Sequence, residues 1–134
     1  MGFSKRSLAN LEGVHPDLRK VCDLAIELCQ SVKIDFIITD GCRTIEEQRV
    51  FVATGKSKTM HSRHLGGMAI DYVALIDGRV TYDVDAMEEI ADLFKAAADE
   101  LGIPIKWGGD WKTFKDTPHI ELDKGVYPDV DVAV

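Results

Sequence analysis

Between Pro16 and Leu122 the apolar residues change period repeatedly, and twice two strand-like runs follow one another with no helical pattern between them. Gly67 to Ala74 alternates and meets Arg79 to Tyr82 across Asp77-Gly78, a turn signal that predicts a hairpin. Ile103 to Trp107 is likewise followed by Gly108-Gly109-Asp110 and then by the short run His119 to Leu122. Parallel neighbours need a long, usually helical crossover, so a sheet built from these runs is mainly antiparallel.

The remaining segments supply its cover. Leu18, Val21, Cys22, Ala25, Leu28, Cys29 and Val32 recur at helical spacing after a Pro16-Asp17 start. Ile34 to Thr39 is β-branched and ends at Asp40-Gly41, which reads as a buried strand. Thr44 with Glu47 three residues on forms a capping box for a second helix that Gly55 stops. Met87, Ile90, Phe94, Ala97 and Leu101 form the stripe of a third helix, which Gly102 ends. Residues 1–14 read as a polar lead-in and 56–63 as a loop. The expected fold is α+β, a small mainly antiparallel sheet with packed helices, and 134 residues suffice for one domain.

Charge and targeting narrow the function. Sixteen basic against 23 acidic side chains leave a net charge of −7, a poor footprint for nucleic acid or anionic lipid. The cations Lys5 and Arg6 lead into polar residues, not into the apolar core of a signal peptide, so a cytoplasmic protein without stable membrane association is expected. Cys22, Cys29 and Cys42 are odd in number, and all three read as reduced and buried.

The chemistry concentrates in two places. If Met68 and Ile70 face the core, then Gly67, Ala69 and Asp71 face the other way, with His64 in the preceding turn. Glycine and alanine would leave that face open. In the last strand Ile120 and Leu122 are apolar, so His119 and Glu121 share the opposite face. Two neutral imidazoles and one carboxylate suit a catalytic zinc, which keeps a position for water. The same donor set also suits non-haem iron, although six residues between His64 and Asp71 is a wide gap for that site.

The string Ser-x-His-x-x-Gly-x-Ala-x-Asp at Ser62, His64, Gly67, Ala69 and Asp71, followed by Asp116-x-Pro118-His119, resembles the LAS metallopeptidases. That group includes D-alanyl-D-alanine carboxypeptidases, vancomycin-resistance dipeptidases and the L-alanyl-D-glutamate peptidases of phage endolysins. Gly41-x-Arg43-Thr44 with Gln48, and Leu101-Gly102-Ile103 through Trp107-Gly108-Gly109-Asp110-Trp111, are most similar to the last branch.

The resemblance implies a LAS/Hedgehog-type zinc peptidase domain spanning residues 1–134, with no separate wall-binding module. It places one catalytic zinc on His64, Asp71 and His119, and the catalytic base at Asp116, where other branches commonly have glutamate. Arg43 falls on the arginine that contacts substrate and steadies the oxyanion. Ser62, Gln48, Trp107, Asp110 and Trp111 become candidates for supporting the ligands or shaping the cleft. His61 forms a His-x-x-His pair with His64, but the family register gives the metal to His64 alone. The implied partner is the stem peptide of bacterial peptidoglycan, cut by a monomer held in the host cytoplasm until it is released to the wall. A D,D-dipeptidase or D,D-carboxypeptidase and a zinc-stabilised peptidoglycan-binding module are the alternatives; a retained base at Asp116 speaks against the module.

Overall fold

The structure, a computed structural model, describes residues 2–57, 62–113 and 115–129. In chain order its elements are α1 (Lys5–Asn10), α2 (Pro16–Ser31), β1 (Asp35–Asp40), α3 (Ile45–Ala53), β2 (Ala69–Ile76), β3 (Arg79–Thr81), α4 (Val84–Leu101), β4 (Ile105–Trp107), a 3₁₀ turn (Gly108–Asp110) and β5 (His119–Leu122). The strands pair antiparallel in the order β1-β2-β5-β4, and β3 folds back on the end of β2. Asp77 and Gly78 both take positive φ in that hairpin turn, as the sequence pattern requires.

One face of the sheet is covered by α2 and α4, which pack against each other. Their buried stripes, Leu18, Val21, Ala25 and Cys29 on α2 and Met87, Ile90, Phe94 and Ala97 on α4, meet Phe36, Ile38, Ile70, Tyr72, Ile120 and Leu122 from the strands. Phe36, Tyr72 and Phe94 form an aromatic centre with ring centroids 5.1 to 6.1 Å apart. The Tyr72 hydroxyl donates to the Met87 carbonyl at 2.7 Å, which satisfies its polar end inside the core. Among the described residues no helix is long and apolar enough to cross a membrane.

Two sequence expectations need correction. The polar lead-in contains α1, a helix capped by Ser4 and packed on β1. Its polarity is structural, since β1 is a sheet edge whose outward backbone groups need partners. The buried Ser7 hydroxyl accepts the Ile38 N–H at 2.9 Å, and the Asn10 amide donates to the Ile38 carbonyl at 2.8 Å. Short polar side chains here do the work of a further strand. The cysteines are free, but only Cys22 and Cys29 are buried; Cys42 is partly exposed because it lies in the turn leaving β1. Burial pushes the Cys29 thiol up to about 12, consistent with an inert packing role.

Candidate metal centre

The core face of β2 is fixed by Ile70 and Tyr72, so Asp71 must point to the other side of the sheet. In β5 the same rule turns His119 and Glu121 away from Ile120 and Leu122. Asp71 and His119 are register partners in the antiparallel ladder, and His64 reaches them from the turn just before β2. One ligand atom from each of His64, Asp71 and His119 falls within 4.8 Å of the others. Asp71 Oδ1 is 3.4 Å from both His64 Nε2 and His119 Nδ1. It is buried and makes no hydrogen bond among the described residues. A buried carboxylate oxygen left without a donor between two ring nitrogens is an arrangement that a bound cation would satisfy.

The electrostatics agree. Burial works to raise the Asp71 carboxyl, but the adjoining His119 and His64 rings outweigh it and hold the group well below the usual carboxylate range. Burial likewise disfavours a charged His119, yet Asp71 and Glu121 together push its pKa up to about 9. The site is built to hold positive charge.

Each imidazole is oriented from behind. His64 Nδ1 lies 2.8 Å from the Gly41 carbonyl, an acceptor that fixes the ring proton there and leaves Nε2 facing Asp71. A backbone bond from the Arg43 N–H to the His64 carbonyl (2.9 Å) and the Ser62 hydroxyl, which accepts the His64 N–H (3.2 Å), hold the same turn. Gly67 has φ +74°, and a methyl there would run into the backbone of Gly13, Val14 and His15. Its smallness admits the segment entering α2, and Ala69 is fully buried. Neither residue opens the cleft, contrary to the sequence expectation.

Asp116 stands at the exposed rim, placed by backbone bonds from its N–H to the Gly108 carbonyl and from His119 N–H to its own carbonyl, both 3.0 Å. Partial desolvation, and then the charge of Asp71, raise its carboxyl above the usual range. Trp111 packs its ring 5.2 Å from that of His119. Trp107 was expected at the cleft rim but is buried, and its indole donates to the Thr117 carbonyl at 2.8 Å, bracing the loop that carries Asp116. Asp110 is exposed and paired with Lys95 at 2.7 Å. His61 lies outside the described residues.

Arg43 is held more firmly than the sequence indicated. Its Nε and Nη2 donate to Asp40 Oδ2, its Nη1 donates to the buried Gln48 (3.0 Å) and to Ser62 (3.4 Å), and its guanidinium lies 4.2 Å over the Phe51 ring. One Nη2–H remains uncommitted among the described residues. Sequence reasoning passed over Asp40 as a turn residue and Arg63 as loop, and gave Phe51 no role. Arg63 is buried and bound to Glu121 at 3.2 Å.

This geometry can be set beside known proteins. A solved structure of the Serratia marcescens L-Ala D-Glu endopeptidase ChiX superposes with a TM-score of 0.84 at 43% identity, covering 96% of this chain and 94% of that one. The vancomycin-resistance D,D-pentapeptidase VanY shares the fold, with a TM-score of 0.57 at 15% identity over 81% of this chain and 72% of its own. The L-alanyl-D-glutamate peptidase of Escherichia phage T5 is 35% identical over 129 residues, 93% of this chain and 91% of that protein. Residues 1–132 match the family described as phage L-alanyl-D-glutamate peptidase, and it is to that family that the chain belongs.

Proposed function

We propose that this chain is a single-domain zinc peptidase that hydrolyses the L-alanyl-D-glutamate bond in the stem peptide of peptidoglycan, an endolysin-type activity against the bacterial cell wall. The observation that carries the reading is the His64–Asp71–His119 cluster, three ligand atoms within 4.8 Å, with a carboxylate outside that set only three residues before His119. A binding module would need the cluster and not the extra carboxylate.

His64, Asp71 and His119 would hold the ion. A zinc ion in such a site supplies Lewis acidity, which brings water toward a pKa of about 7 and polarises the scissile carbonyl. Asp116 takes a proton from the attacking water and returns it to the departing amine of D-glutamate, a transfer helped by a carboxyl already shifted upward. Arg43 presents its remaining Nη2–H to the substrate carbonyl oxygen and stabilises the negative charge that develops there. Ser62 and Gln48 keep the guanidinium in place, and Trp111 walls the cleft beside His119.

Mass spectrometry of fragments released from purified peptidoglycan tests the assignment. New N-terminal D-glutamate, with L-alanine left on the muramyl group, is the expected result. Release of free D-alanine or D-alanyl-D-alanine would instead assign the chain to the D,D-peptidase alternative.

A further inference from the structure

Each ring in the cluster has a second nitrogen, and its partner decides which nitrogen is free for an ion. For His64 that partner is the main-chain carbonyl of Gly41, fixed by the fold. For His119 it is a side chain: Nε2 lies 2.8 Å from Glu121 Oε1. An ionised carboxylate only accepts, so Nε2 keeps its proton and Nδ1, the nitrogen beside Asp71, is the one left to ligate an ion. Glu121 is opposite Ala69 in the β2–β5 register, where a methyl group leaves space for the longer side chain to bend toward His119.

Glu121 is itself held. Its Oε2 accepts from Arg63 Nε at 3.2 Å, and both side chains are largely buried. Arg63 is fixed in turn by Nη2 to the Leu122 carbonyl (2.8 Å) and Nη1 to Asp129 (2.9 Å). Both Glu121 oxygens are therefore engaged, which leaves it unfit to serve as the proton-transferring base.

We propose that Glu121 is a positioning residue for the ligand His119, and that Arg63 holds Glu121 in the orientation this requires. The inference rests on the reading of His64, Asp71 and His119 as a zinc centre. The arrangement joins a cation, a carboxylate and an imidazole in one line, so the ring is both oriented and made more basic toward a metal. It also gives residues 123–129 a place in the site, through Asp129 on Arg63.

The test is the rate at which zinc leaves the loaded full-length chain for an excess of a chromogenic chelator. Glu121→Gln keeps the shape but loses the charge, and it is expected to release zinc about 10- to 100-fold faster. Arg63→Lys, which cannot grip Glu121 and the Leu122 carbonyl together, is expected to fall between Glu121→Gln and wild type. Asp129→Asn weakens one hold on Arg63 but leaves its bonds to Glu121 and the Leu122 carbonyl, and is expected to release zinc more slowly than Arg63→Lys, nearest the wild-type rate. Wild-type release from both Glu121→Gln and Arg63→Lys overturns the inference. So does equal acceleration in Asp129→Asn, which would mark a general loosening. A wild-type chain that takes up no stoichiometric zinc overturns the zinc-centre reading itself.

Discussion

Asp71 and His119 stand directly opposite each other across the β2–β5 ladder, so two of three ligand positions are set by strand register alone. A slip of β5 by one residue would turn His119 into the core and leave Asp71 without its partner. Only His64 depends on a turn, and it is tied by its ring to the Gly41 carbonyl and by its own carbonyl to the Arg43 N–H.

From this geometry, His64→Ala, Asp71→Ala and His119→Ala are each expected to lose stoichiometric zinc, measured by elemental analysis of purified protein. His61→Ala is expected to keep it. Chelation should remove peptidase activity and added zinc should restore it; full activity in metal-stripped protein would end the zinc reading.

Arg43→Lys is expected to lower kcat by about 10²- to 10³-fold, the range for losing an oxyanion donor. The guanidinium spends most of its N–H groups on Asp40, Gln48 and Ser62, and its flat face on Phe51. An ammonium cannot meet these partners and still reach substrate. A rise in KM with unchanged kcat would reduce Arg43 to substrate binding.

Metal-stripped protein is expected to lose stability in alkali. The folded-state pKa of His119 is raised from an ordinary 6.5 to about 9, so its contribution is complete below pH 6.5 and fades as pH climbs through 9. The size is of order 3 kcal/mol, since each unit is worth about 1.4 kcal/mol. Urea midpoints at pH 6.5 and 9.5 check the sign. At pH 7.5 zinc must displace that proton, which calorimetry in buffers of different ionisation enthalpy detects as a release of about one proton. Equal midpoints, or no proton release, would contradict the His119 assignment.

The sequence made the ligand faces legible because the strand period of two is rigid: apolar Ile70, Ile120 and Leu122 leave Asp71 and His119 no alternative side. Helix stripes and caps were legible for the same local reason, as Thr44 with Glu47 shows. What stayed hidden depends on contacts distant in sequence. Ser7 and Asn10 look like loop residues until β1 is known to be a sheet edge, and Arg63 looks solvated until Glu121 and Asp129 arrive from 58 and 66 residues away. Trp107 and Gly67 were read as cleft residues because neither pattern nor composition shows which backbone passes behind them.

Gly41→Ala is expected to damage the site from outside it. A methyl at this position would run into the Asn10 carbonyl oxygen at the end of α1 and crowd Val14. Such overpacking typically costs about 1–3 kcal/mol. Relief requires moving either α1 or the Gly41 carbonyl that orients His64. Thermal melts should show the destabilisation, and zinc affinity should fall with it. A variant as stable as wild type with unaltered zinc affinity would mean that His64 does not depend on this carbonyl.

Asp116→Ala is expected to separate holding zinc from using it. The residue precedes His119 by three positions and is fixed by its backbone to Gly108 and His119, so its side chain can be removed without disturbing the loop. The orphaned oxygen of the cluster belongs to Asp71, and three ligands already complete a catalytic site with one open position. Zinc content and melting temperature should therefore stay near wild type, while kcat falls by about 10²- to 10⁴-fold, the usual share of general acid–base catalysis. Asp116→Glu should recover part of the rate, because the carboxylate is retained on an arm one methylene longer. Loss of zinc in Asp116→Ala would make Asp116 a ligand. Unchanged cleavage would place the base elsewhere, and with both Glu121 oxygens engaged by His119 and Arg63, the search would move to groups on the exposed side of the cleft.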